Sequence, residues 1–238
     1  MSKFLLVGRV AIVTGGARGC GLAFAQGLAE AGADVAIFDV LKASKEDLES
    51  LATPNGITAR AYEVDVTSME SLEVGFAAVA ADFNGKLDIL VACAGVNKNV
   101  RFLDTTEEDF ERLYGVNCKG VYFSAKLGAR AMIASGTKCG SIILVASIAS
   151  HMAVRSQRST AYCGTKGAVR AMVAPIAAEM NEYNIRVNSI SPGYVRTAMT
   201  APFPDLLEGW KDEIMNHRVA EPGDIMGACV FLASDASK

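Results

Sequence analysis

Two histidines and one tryptophan are all that this 238-residue sequence holds of those residue types, and its six cysteines (Cys20, Cys93, Cys118, Cys139, Cys163, Cys229) stand far apart. Without a C-x-x-C pair or a histidine cluster, zinc and dithiol redox chemistry lack the ligand spacing they need, and no metal site is expected. The cysteines read instead as small buried hydrophobes in a reducing compartment. An excess of one charge is also missing: 23 Lys and Arg stand against 26 Asp and Glu, a formal net charge of -3. That balance argues against nucleic acid as the main partner, because phosphate recognition shows as a basic excess or stripe. No apolar run approaches the roughly 18 residues that span a bilayer. The stretch Phe4-Leu5-Leu6-Val7 is too short for a signal peptide. The expected setting is cytoplasmic, with no membrane partner.

Low-complexity linkers and solenoid-period repeats are absent too, which leaves one α/β domain over 1–238 as the expectation. Apolar runs of strand length at 9–14, 34–39, 59–64, 87–92, 140–146 and 185–190 alternate with helix-length amphipathic stretches at 19–31, 44–51, 68–83, 106–134, 160–182 and 222–232. Strands with little internal polarity, separated by helices, imply a doubly wound parallel sheet covered on both faces. The rhythm breaks at 197–221, where Pro202, Pro204 and Gly209 mix with Met199, Phe203, Leu206, Leu207 and Trp210. Such an excursion between a strand and a helix reads as a flap over a site.

After the first strand comes Thr14-Gly15-Gly16-Ala17-Arg18-Gly19-Cys20-Gly21, in the strand–turn–helix context that a phosphate-binding turn requires. Glycines let the backbone approach a pyrophosphate closely, and the helix N-terminus offers free N–H groups and a favourable dipole. Asp39 closes the second strand about twenty residues on, where a carboxylate accepts hydrogen bonds from ribose hydroxyls and repels a 2′-phosphate. Asp39 therefore favours NAD slightly.

The T-G-x-x-x-G-x-G spacing resembles the compact branch of the short-chain dehydrogenase/reductase family. The resemblance runs from Val10 to Lys238 and includes Tyr162-Cys163-Gly164-Thr165-Lys166, in which Tyr and Lys share one helix face. It implies a Rossmann-type sheet and a tetrad of Asn117, Ser147, Tyr162 and Lys166. In that tetrad Tyr162 is the acid/base, Ser147 orients the substrate oxygen, Lys166 lowers the tyrosine's pKa, and Asn117 supports a water linking Lys166 to solvent. It also implies cofactor contacts for Gly15, Arg18, Gly19, Cys20, Gly21, Asp39, Asp65, Val66, Ala94, Gly95, Tyr162, Lys166, Gly193, Val195 and Thr197. Arg18 resembles the basic residue of this turn that contacts the 2′-phosphate in NADP-preferring members of the family, and so implies NADP. The turn Ala92-Cys93-Ala94-Gly95 lacks the family's two asparagines, and with them their side-chain hydrogen bonds.

The expected activity is hydride transfer between NAD or NADP and a carbonyl or secondary alcohol, since the sequence is similar to fungal polyol and sugar reductases and to secondary-metabolism ketoreductases. Met199, Phe203 and Trp210 would line the substrate lid, or else pack a short helix, and His151 would reach a polar substrate or sit in a surface loop. Family members continue past the point where this sequence ends, into a strand that borders the sheet, and they form homo-oligomers, either dimers or tetramers. A cofactor-binding regulator or scaffold of the same fold is the alternative. An isomerase using nicotinamide transiently is a third reading.

Overall fold

The computed structural model describes residues 2–154, 157–198, 200–201 and 204–238. Among them, six strands form one sheet: β1 (Val10–Thr14), β2 (Asp34–Asp39), β3 (Ala59–Glu63), β4 (Ile89–Ala92), β5 (Gly140–Val145) and β6 (Ile185–Ile190). Their order is β3-β2-β1-β4-β5-β6, and each neighbouring pair is parallel.

Successive side chains on a strand point to opposite faces, and the core divides accordingly. Val10, Ile12, Phe38, Leu90, Ile142 and Leu144 pack on one face, against Leu72 and Phe76 of α3 (Met69–Asp82), Val121 and Ala125 of α5 (Val121–Ser135) and Val169 of α6 (Thr160–Met180). Ala11, Val13, Ile37, Ile89, Val91 and Ile143 pack on the other. That face is covered by Phe24 and Leu28 of α1 (Gly19–Glu30), Leu51 of α2 (Lys45–Asn55) and Cys229 and Ala233 of α8 (Met226–Ala233). Continuous apolar strands are thus explained by burial on both sides.

Two segments depart from the sequence expectation. The long helix expected at 106–134 is α4 (Glu107–Tyr114), then a π-helical turn at Gly115–Gly120, then α5. Close packing helps set that turn, since a Cβ on Gly120 would lie 2.7 Å from a methyl of Val66. The excursion at 197–221 contains a helix of its own, α7 (Pro204–Glu213). Its Leu207 and Trp210, with Ile214 just beyond its end, follow helical spacing and pack against Tyr194 and Val219 as a small separate core. The prolines and glycine in that stretch obscured this spacing.

Candidate active site

The chain winds outward in both directions from β1 and β4, so a crevice opens beyond their carboxyl ends, where ligands collect in sheets of this kind. A cavity of about 630 Å³ occupies it, a size suited to a large organic ligand. The turn Gly15–Gly21 follows β1 into this crevice. Gly19 opens α1 with φ 57°, a left-handed conformation that glycine adopts without strain. Gly21 is required by packing, because a Cβ there would lie 2.0 Å from the Gly15 carbonyl oxygen.

The start of α1 differs from those of the next three helices. Ser44, Ser68 and Thr106 each accept a backbone N–H at the starts of α2, α3 and α4. At α1 the capping position is Arg18, which makes no such bond, and the first turn holds no acidic side chain. Twelve aligned peptide dipoles and uncapped N–H groups therefore meet at the cavity wall formed by Arg18, Gly19, Cys20 and Gly21. This is the electrostatic complement of a diphosphate.

At one end of the cavity the Asp39 carboxylate accepts from Ala17 N at 3.1 Å and from Leu41 N at 3.0 Å, which fixes it at the mouth of the turn. Arg18 is exposed at the same wall. Asp65 accepts from both the N–H and the hydroxyl of Thr67, each at 2.8 Å, and Val66 and Thr67 complete a slot there. The turn after β4 is held by Thr14, whose hydroxyl accepts from Cys93 N and Ala94 N at 3.1 Å each. Thr14 thus supplies order that the missing asparagines do not. All six cysteines are free, yet of them only Cys229 is fully buried, and Cys20 and Cys93 line the cavity. Burial raises both thiols, Cys93 to about 12, so neither carries charge at neutral pH.

Ser147, Tyr162 and Lys166 face the same cavity. Ser147 follows β5 in extended conformation, and its hydroxyl accepts from Ala149 N at 3.2 Å. The Tyr162 phenol is pushed up to about 12 by burial, while a hydrogen bond with Ser147 pulls it back. One helical turn on, the Lys166 ammonium is buried, donates to Val145 O at 2.7 Å and lies 5.8 Å from the Tyr162 ring centre. Burial holds its pKa below the ordinary lysine value.

Asn117 lies fully buried in the π-helical turn. Its Oδ1 accepts from Val96 N at 2.9 Å, and its Nδ2 donates to Val96 O at 2.9 Å and to Thr165 Oγ1 at 3.1 Å. Thr165 in turn donates to Tyr162 O at 2.7 Å. Asn117 therefore ties the turn after β4 to the helix that carries Tyr162 and Lys166. A π-bulge at such a junction is a common functional device.

Beyond β6, Gly193, Val195 and Thr197 also line the cavity, and Val195 pairs with Ala220 to close the excursion at its base. Trp210 is both packed within the excursion and part of the cavity wall. Met199, Phe203 and Arg155 lie outside the described residues. His151 is exposed, bonds Ser191 Oγ at 3.1 Å and is absent from the lining. Sequence reasoning missed Asn97, Val154, Arg112 and Thr200, and assigned Gln157 no role, although all five line the cavity. A chain bend brings 97–99 beside 157–158, through Gln157 Nε2 to Asn99 Oδ1 at 3.0 Å and Val100 N to Arg158 O at 2.8 Å, and so places Asn97 and Gln157 in one wall.

An uncapped helix end, a carboxylate fixed at the mouth of the glycine turn and a Ser–Tyr–Lys group in one crevice fit a nicotinamide dinucleotide, and they define the class of dinucleotide-dependent α/β oxidoreductases. The comparisons agree. The profile of the family described as enoyl-(acyl carrier protein) reductase matches residues 15–238. The chain is 34% identical over 240 residues to a probable NADP-dependent mannitol dehydrogenase of Yarrowia lipolytica, covering 100% of this chain and 85% of that protein. It superposes with TM-score 0.95 on a short-chain type dehydrogenase/reductase from Mycobacterium marinum, at 34% identity, covering 99% and 92% of the two chains. A gluconate 5-dehydrogenase from Burkholderia cenocepacia, in complex with NADP and tartrate, gives TM-score 0.85 at 34% identity, covering 99% and 91%. The chain belongs to the short-chain dehydrogenase/reductase family, and it is an NAD(P)-dependent oxidoreductase of alcohols and carbonyl compounds. No helix among the described residues is long and apolar enough to cross a membrane.

Proposed function

We propose that this oxidoreductase interconverts polyols or sugars with their keto forms, with Tyr162 as the general acid/base. When bound, the dinucleotide supplies or accepts the hydride at its nicotinamide. In the reducing direction Tyr162 donates its phenolic proton to the carbonyl oxygen, and in the oxidising direction the phenolate takes the hydroxyl proton. Ser147 shares that oxygen and stabilises the charge that develops on it. Lys166 favours the phenolate against the burial that opposes it, and Asn117 holds α6 and the turn after β4 in register. The N–H groups of Gly19, Cys20 and Gly21 would hold the diphosphate, and Asp39 would hold the ribose. Gly15, Asp65, Val66, Ala94, Gly95, Gly193, Val195 and Thr197 form the remaining wall.

The observation that carries this reading is that Ser147, Tyr162 and Lys166 share one cavity with the uncapped start of α1. The polyol and sugar class is supported by the names of the mannitol and gluconate dehydrogenases to which the chain is similar. NAD is the proposed preference, because Asp39 is fixed by two backbone N–H groups while Arg18 is exposed. The test is Tyr162→Phe: turnover should fall about 10²–10⁴-fold while dinucleotide affinity stays within twofold. A variant that keeps its turnover would refute the acid/base assignment.

A further inference from the structure

Several polar side chains in the cavity wall are already committed to the protein. Thr200 accepts from Thr197 N at 2.9 Å and donates to Val195 O at 3.1 Å, and Tyr194 donates its hydroxyl proton to Glu213 at 2.6 Å. Asn97 and Gln157, in the same wall, are committed only in part. Asn97 Oδ1 accepts from Lys98 N at 2.8 Å, and no group among the described residues bonds its Nδ2. Gln157 Nε2 donates to Asn99 Oδ1 at 3.0 Å, and no group bonds its Oε1. Neither atom is sealed from water: among the described residues, the side-chain polar atoms that are both sealed and unpartnered belong to Ser124, Arg186 and Trp210. Two half-buried residues of the wall thus keep an open donor and an open acceptor.

Their place in the cavity follows from the chain. Gly95 packs on the acid/base group, since a Cβ there would lie 3.6 Å from Lys166 Nζ. Asn97 is two residues further on, within about 7 Å of chain, and the segment then runs to Val100, whose N–H donates to Arg158 O at 2.8 Å. The segment therefore bridges from Lys166 to the residues around Gln157, with Asn97 between them. Asn99 fixes the Gln157 amide, so its Oε1 is oriented before any ligand arrives, which lowers the entropy lost on binding. A hydroxyl both donates and accepts, so a free amide donor and a free amide acceptor in one wall match the successive hydroxyls of a polyol.

We propose that Asn97 Nδ2 and Gln157 Oε1 form a subsite for substrate hydroxyls other than the one at the reacting carbon, and that this subsite selects polyols over alcohols with a single oxygen. The subsite rests on the alcohol and carbonyl chemistry argued above and deepens it.

Gln157→Met keeps the side-chain length and removes the acceptor. The ratio of kcat/KM for mannitol to that for 2-butanol should fall about tenfold, one hydrogen bond's effect, with the loss in KM for mannitol. Asn97→Ala should lower the same ratio about as far. A ratio unchanged within twofold in both variants overturns the proposal. So does an equal loss on both alcohols or a matching loss of dinucleotide affinity, which would mark the two residues as braces between 97–100 and 157–158. Calorimetric titration of mannitol into the protein–NADH complex, a pair that cannot react, reads the contact without turnover: the parent should bind mannitol, and Gln157→Met should bind it about tenfold more weakly. Equal binding by parent and variant, or none by the parent, overturns the subsite. Mannitol that binds the parent and weakens in the variant, yet is never oxidised, would sink the polyol-oxidation reading while the subsite stands.

Discussion

Replacing Asp39 by Asn tests the cofactor argument most directly, because it removes one charge at nearly constant shape. The carboxylate is fixed by Ala17 N and Leu41 N, so it cannot swing away from a 2′-phosphate without releasing the turn. That phosphate carries about -1.5 to -2 charges at neutral pH. At about 6 Å, each unit of charge is opposed by roughly 0.7 kcal/mol in water and roughly 2.8 kcal/mol at an effective dielectric near 20. Asp39 is only half-buried, so screening keeps the total in the lower half of that range, at about 1.4–2.8 kcal/mol, or ten- to hundredfold in Kd. Asparagine also loses one of the two backbone bonds, since its amide nitrogen cannot accept, but that loss applies equally to both dinucleotides and cancels in their ratio. Nicotinamide fluorescence titrations with NADH and NADPH, on the parent and on Asp39→Asn, give the ratio directly. The parent should favour NADH, and the variant should move the ratio of the two Kd values ten- to hundredfold towards NADPH. A ratio that stays within twofold while both dinucleotides bind would show that Asp39 braces the turn and does not select the cofactor.

Other outcomes follow from single contacts. Gly21→Ala places a methyl 2.0 Å from the Gly15 carbonyl oxygen, so we expect a loss of about 1–3 kcal/mol in urea unfolding together with weakened NADH binding; an unchanged midpoint would refute the packing argument. Asn117→Ala leaves Val96 and Thr165 groups unpaired in the interior, and should lower stability by about 2–4 kcal/mol, read from the same denaturant curves; a loss under about 0.5 kcal/mol would contradict it. On the proposed mechanism alcohol oxidation needs the Tyr162 phenolate, and burial raises that group's pKa to about 12, so the oxidation rate should climb with pH while carbonyl reduction, which would need the neutral phenol, declines through the same range. Removing the cation in Lys166→Met should move that limb to still higher pH, and a pH profile identical to the parent's would exclude Lys166 from setting it.

Much of this protein was legible before folding because its signals are local. A strand of β1 type, buried on both faces, must be apolar throughout, and the alternation of Val10 and Ile12 with Ala11 and Val13 between two cores needs only the two-residue period of a strand. The glycine turn is equally local, since left-handed φ at Gly19 and contact at Gly21 exclude other side chains whatever lies elsewhere. Tyr162 and Lys166 share a face through helical spacing alone. These determine the doubly wound sheet, the glycine turn at the start of α1 and the Tyr162–Lys166 pair.

Other features depend on which segments meet, and spacing along the chain carries no record of that. The approach of 97–99 to 157–158 brings Asn97 and Gln157 into the wall, and the packing of Gly120 on Val66 helps widen a turn of helix that periodicity alone reads as continuous. Tertiary structure likewise turned the excursion at 197–221 into a helix, because Leu207 and Trp210 gain a burial site only when Tyr194 and Val219 come beneath them. It also decided the state of Tyr162, where the sequence shows only a lysine one helical turn on, and the folded state shows the burial that raises the phenol and the Ser147 hydrogen bond that lowers it.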